Sequence, residues 1–90
     1  MNAITQPEPK MTHNILRLPA VKASTGLSRS TLYLRIAQGV FPRPVSLGGR
    51  VVGWPASEVE SINAARISGK SKSEIRDLVG KLESARKTAA

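Results

Sequence analysis

The groups in this sequence that could do chemistry are few and mostly cationic. Ser28-Arg29-Ser30-Thr31 sets a guanidinium among three hydroxyls, and Gly48-Gly49-Arg50 sets another directly after a glycine pair. Such groups suit phosphate oxygens and guanine edges, to which one arginine makes two parallel hydrogen bonds. Groups for catalysis are scarce. Between residues 14 and 73 the carboxylates are Glu58 and Glu60, two apart at the start of one helical pattern. There they suit the positive end of a helix dipole better than acid–base work across a cleft. His13 has neither triad partners nor metal-ligand company. Gly48-Gly49 is too short to cradle a phosphate, and no Walker lysine follows it. No catalysis, no cofactor and no metal site is expected.

Charge points the same way as the motifs. The 90 residues carry 14 Lys and Arg against 6 Asp and Glu, a formal +8, which implies a polyanionic partner. From Asn14 to Trp54 the chain holds Arg17, Lys22, Arg29, Arg35, Arg43 and Arg50 and no acid. The chain has no cysteine, so the core must come from packing rather than a disulfide or a thiolate metal site. No apolar run approaches the roughly 20 residues that span a bilayer. The opening lacks the basic and apolar regions of a secretory signal. A soluble, cytoplasmic protein without membrane contact is expected, nucleoid-associated when bound to DNA.

The elements that must position these groups follow from local signals. Residues 1–13, with Pro7 and Pro9 and no periodicity, read as disordered. Asn14 to Leu18 reads as an extended arm packing Ile15, Leu16 or Leu18 on the domain. Pro19 suits the first turn of a short helix that Gly26 ends. Ser28 is a good N-cap for a second helix over about 29–38, with Leu32 and Ile36 on one face and Gly39 closing it. Two short helices about a glycine-containing turn form a helix-turn-helix pattern.

Phe41, Pro42, Pro44, Val45, Leu47, Gly48-Gly49, Val51, Val52 and Trp54 then spell a short hairpin. Gly48 and Gly49 are the wing turn, where both positions call for positive φ, and Arg50 follows at the tip. The two prolines confine their strand to an edge. Phe41 and Trp54 are expected to pack rather than to stack on bases. A third helix starts at Pro55, with Val59, Ile62 and Ile67 facing inward. Ser71 and Glu74 form a capping box for a last helix over 72–86. Its stripe of Ile75, Leu78, Val79 and Leu82 must be covered. Self-association is the leading expectation, ahead of folding back and of fraying, and the final ESARKTAA reads as a basic tail.

The fold expected is mainly α with a small β-hairpin. It comprises a winged helix-turn-helix over 14–68 and a candidate dimerisation helix with its tail over 69–90. Double-stranded DNA is the expected partner, read by the N-terminal end of the second helix. Arg29 is the first candidate for a base edge, with Ser28, Ser30 and Thr31 on phosphates. Tyr33 either packs inward with its hydroxyl at the rim or bonds a phosphate. Lys22 and Arg35 are phosphate candidates, and Arg43 and Arg50 would act from the wing. Four to six phosphates would make log K fall with log salt at a slope of roughly −4 to −5.

The stretches LPAVKASTGLSRST, GVFPRPVSLGGR and GW followed by SEVE resemble the AlpA family of prophage regulatory proteins, over about Ile15 to Ile67. The resemblance implies a MerR-like, excisionase-related winged helix. Its recognition helix would fall on Ser28 to Gln38, its wing on Val45 to Val52, and its closing aromatic on Trp54. The last helix lies outside the usual extent of the family. Three functions compete: a sequence-specific transcription regulator of prophage or mobile-element type, an excisionase-like recombination directionality factor that bends DNA, and a protein-interaction adaptor. The DNA-bound readings imply a homodimer or cooperative multimer, or a neighbour such as an integrase.

Overall fold

The structure is a computed structural model that describes residues 14–88. The expected disorder of 1–13, with His13, and the last two residues of the tail lie outside the described residues. Seven regular elements and a closing turn follow in order: β1 (Ile15–Leu16), α1 (Leu18–Thr25), α2 (Arg29–Ala37), β2 (Val45–Gly48), β3 (Val51–Pro55), α3 (Ala56–Ile67), α4 (Lys72–Ala85) and a 3-10 turn (Arg86–Thr88). The chain is mostly helical with a small antiparallel sheet, compatible with a winged helix-turn-helix plus a C-terminal helix.

The extended arm is a third strand. β1 pairs with β3, Ile15 opposite Pro55 and Leu16 opposite Trp54, giving the strand order β1-β3-β2. The Asn14 carbonyl accepts the Ala56 N–H at 2.8 Å and prolongs the pairing. Gly53 makes this approach feasible. A Cβ there would collide with Ile15 Cγ2 and lie 3.0 Å from the Leu16 carbonyl oxygen.

α1 begins one residue before Pro19, and its end is set by Gly26 at φ 74°, whose N–H donates to the Lys22 carbonyl at 2.8 Å. Ser28 caps α2, its hydroxyl accepting the Thr31 N–H at 3.2 Å. The hairpin turn lies one residue further along than the sequence suggested. Gly48 pairs with Val51, so Gly49 and Arg50 occupy the turn, and the register slips between Ser46 and Gly48. Both glycines still take positive φ, 111° and 58°, which glycine adopts at no steric cost. Pro42 and Pro44 precede β2 rather than lying in its edge. Pro42 is buried, and its carbonyl accepts the Trp54 indole N–H at 2.9 Å.

The core gathers Val21, Leu32, Val40, Phe41, Trp54, Val59, Ile62, Ala65, Ile75 and Val79. Phe41 and Trp54 are fully buried, as core-packing aromatics should be. Ile67, expected inward, is 86% exposed. Ala65 takes the next inward place on α3 after Ile62, and Ile67 falls two residues beyond it, on the other side of the helix. Asn63 Nδ2 bonds the Ser24 carbonyl and hydroxyl at 3.1 Å each, fastening α3 to the end of α1.

The last helix folds back onto its own domain. Its capping box is complete: Ser71 N–H donates to Glu74 Oε1 at 2.8 Å, and Glu74 N–H donates to the Ser71 hydroxyl at 3.1 Å. Ile75 and Val79 join the core, and Leu78 and Leu82 pack against it partly buried. Of the stripe for which self-association is the leading expectation, Ile75 and Val79 are covered by the chain's own core, and Leu78 and Leu82 stay partly exposed at its edge. Burying two such side chains contributes about 1.5–3 kcal/mol each, an upper estimate for a realistic unfolded chain. The tail continues as the 3-10 turn Arg86–Thr88, and Arg86 in it is bonded to Glu58.

Candidate nucleic-acid interface

The N-terminal end of α2 presents Ser28, Arg29 and Ser30 to solvent, with Thr31 half-buried beside them. The hydroxyls are partly committed to the cap. Ser28 Oγ donates to Thr31 Oγ1 at 3.0 Å and lies 3.4 Å from Ser30 Oγ. Capping therefore orders the serine–threonine cluster and takes up the Thr31 N–H, while Arg29 and Ser30 stay exposed. A helix N-terminus of this kind favours a phosphate.

Tyr33 sits one turn further along and remains exposed. Its ring meets Trp54 edge-on, with centroids 6.3 Å apart and an interplanar angle of 69°. Above the same ring lies the Arg29 guanidinium, 5.3 Å from the centroid. A continuous stack thus runs from the buried indole through the tyrosine to the exposed arginine. Holding Arg29 on an aromatic face restricts its rotamers and leaves its N–H fork to be aimed. Ser28, Arg29, Ser30 and Tyr33 together line one shallow depression.

The other expected contacts separate into three groups. Lys22 on α1 and Arg50 in the wing turn are exposed, and among the described residues neither has a carboxylate partner. Arg43 is tied to α4: its N–H donates to Glu83 Oε2 at 2.8 Å, and its Nη2 lies 3.4 Å from Glu83 Oε1. Its side chain stays 75% exposed, but it is anchored away from the wing turn. Arg35 lies six residues beyond Arg29, about 240° around the helix at 3.6 residues per turn. It borders a cleft with Ser24, Thr25, Asn63 and Arg66. Partial burial lowers the Arg66 pKa, and the neighbouring Arg35 charge lowers it further. Arg35 therefore does not join the Arg29 cluster.

One ion pair near this region joins residues that sequence reasoning did not connect. Glu58 is buried, and Arg86 donates to it from Nε to Oε2 at 2.9 Å and from Nη2 to Oε1 at 2.6 Å. That bonding raises the Arg86 pKa above its ordinary value. Glu58 does stand in the first turn of α3, as a dipole-favoured acid should, but its carboxylate serves this pair. No local signal links two residues 28 apart.

Among the described residues no group of three His, Cys, Asp or Glu could hold a metal, and no helix is long and apolar enough to cross a membrane. The family model described as Prophage CP4-57 regulatory protein (AlpA) matches residues 14–67, which take in the sheet and α1 to α3. An uncharacterized protein, ORF88, of Enterobacteria phage P4 is 48% identical over 67 residues, covering 73% of this chain and 76% of that protein.

Proposed function

Because the chain belongs to the AlpA family of prophage regulatory proteins, we propose that it binds double-stranded DNA in a sequence-specific way and regulates transcription from that site. The observation that carries this reading is the stack of Arg29 on Tyr33 on Trp54. It aims one guanidinium outward from the exposed end of α2, where a helix-turn-helix meets base edges. Arg29 reads a guanine in the major groove, Ser30 and the first-turn N–H groups bond phosphates, and Arg50 reaches the backbone from the wing. Lys22 supplies a further phosphate contact. Arg35 and Arg43 have no place in this set, which leaves Lys22, Arg29 and Arg50, so the salt slope is roughly −2 to −3.

Footprinting on duplexes selected from a random pool tests the reading. Wild type should protect a defined site, and Arg29→Ala should protect it more weakly and lose discrimination at one of its base positions, by about 1–3 kcal/mol. No protection by wild type on any selected duplex, together with an affinity indifferent to salt, would reject it.

A further inference from the structure

The segment that joins the recognition helix to the wing has no regular structure, yet α4 and the turn after it grip both its ends. At the first end, Arg76 Nε lies 3.4 Å from the Gln38 carbonyl oxygen, and the Arg76 stem covers Gly39. At the other, Glu83 accepts the Arg43 N–H at 2.8 Å, and Arg86 Nη2 donates to the Arg43 carbonyl at 2.7 Å. Between the grips Val40, Phe41 and Pro42 are buried. Arg86 is itself held by the buried Glu58, its own side chain only 24% exposed. One guanidinium therefore ties the start of α3 to the residue that leads into the wing. All three gripping residues lie beyond residue 67, where the family match stops.

We propose that Glu83 and Arg86 are positioning residues that fix the wing relative to the recognition helix, and that sequence discrimination on DNA depends on them. The proposal rests on the DNA-binding reading above. The helix and the wing are two contacts joined by a short connection, and the second engages at an effective concentration set by how well its placement matches the site. A fixed connection favours the one duplex geometry that satisfies both. Nonspecific binding, made of separate cation–phosphate contacts, depends little on that angle. The ratio of specific to nonspecific affinity is therefore the quantity these residues control.

The experiment uses the full chain, a duplex selected by wild type from a random pool, and a scrambled duplex, all at one salt concentration. Glu83→Ala removes the grip on the Arg43 N–H. Arg86→Lys keeps the charge, but a single ammonium cannot fork onto Glu58 and also hold the Arg43 carbonyl. Each variant should weaken binding to the selected duplex about five- to tenfold and leave the scrambled duplex within about twofold. Ala65→Gly, which destabilises α3 away from the connection, should leave the ratio at the wild-type value. Circular dichroism at the assay temperature verifies folding. If Arg86→Lys melts, Glu83→Ala decides, since its side chain lies at the partly exposed rim. An unchanged ratio in a folded variant, or an equal loss in Ala65→Gly, overturns the proposal. Failure of wild type to enrich any duplex would instead remove the DNA-binding reading beneath it.

Discussion

The Arg29 guanidinium lies 5.3 Å from the centroid of the Tyr33 ring, one helical turn away along α2. The tyrosine is in turn braced edge-on by the fully buried Trp54. The orientation of an exposed arginine is thereby coupled to the core.

Replacing Tyr33 separates ring from hydroxyl. Tyr33→Leu should weaken specific DNA binding about two- to fivefold, the equivalent of a cation–π contact of about 0.5–1 kcal/mol at an exposed site. Tyr33→Phe should stay near wild type, because the ring and not the hydroxyl holds Arg29. Titration of a selected duplex by fluorescence anisotropy measures both, and a large loss in Tyr33→Phe would assign the hydroxyl to a phosphate instead.

The arginines should divide by role. Arg29→Ala should relax discrimination at one base position by about 1–3 kcal/mol. Arg50→Ala should weaken all duplexes alike and reduce the salt slope by about 1. Arg35→Ala, on the α1–α3 side of the helix, should change neither beyond twofold. Affinities at three or four salt concentrations on matched and single-mismatch duplexes distinguish these outcomes.

Two glycines predict opposite signs. Gly53→Ala places a methyl against Ile15 and the Leu16 carbonyl, so β1 must shift, at about 1–3 kcal/mol of overpacking. Gly80, inside α4, has open space where a Cβ would stand, and Gly80→Ala should stabilise by about 0.5–1 kcal/mol. Urea unfolding midpoints test both, and equal shifts in one direction would contradict the packing described.

The capping box gives α4 an acid-side pH dependence. The Ser71 backbone N–H, and then its hydroxyl, hold the Glu74 carboxyl below its ordinary pKa, with Lys70 adding to the effect. A group depressed on folding stabilises above its unfolded pKa, near 4.3 for Glu, and that stability is lost as pH falls through the folded value. Between pH 6 and pH 3 the Tm of wild type should therefore fall further than that of Glu74→Gln. Parallel curves would show that the cap carries no charge-dependent stability.

What short-range chemistry decides was legible in the sequence. The Ser28 and Ser71 caps, the Gly26 and Gly39 stops and the hairpin glycines each act over a few residues, and the acid-free run from Asn14 to Trp54 is read directly from residue order. They placed α2 and singled out Arg29 and Arg50 as candidates. Residues distant along the chain were decided only by the fold. The stripe of α4 has the same periodicity whatever covers it, and only the tertiary structure puts Ile75 and Val79 into the chain's own core. Gly53 became a passage for β1 because the arm crosses there. Arg43, a wing candidate by position, faces Glu83 forty residues on, and Glu58 meets Arg86. Caps and turns are closed by neighbouring backbone groups. Ion pairs and covered faces depend on which surfaces the tertiary structure brings together, and no local pattern records that.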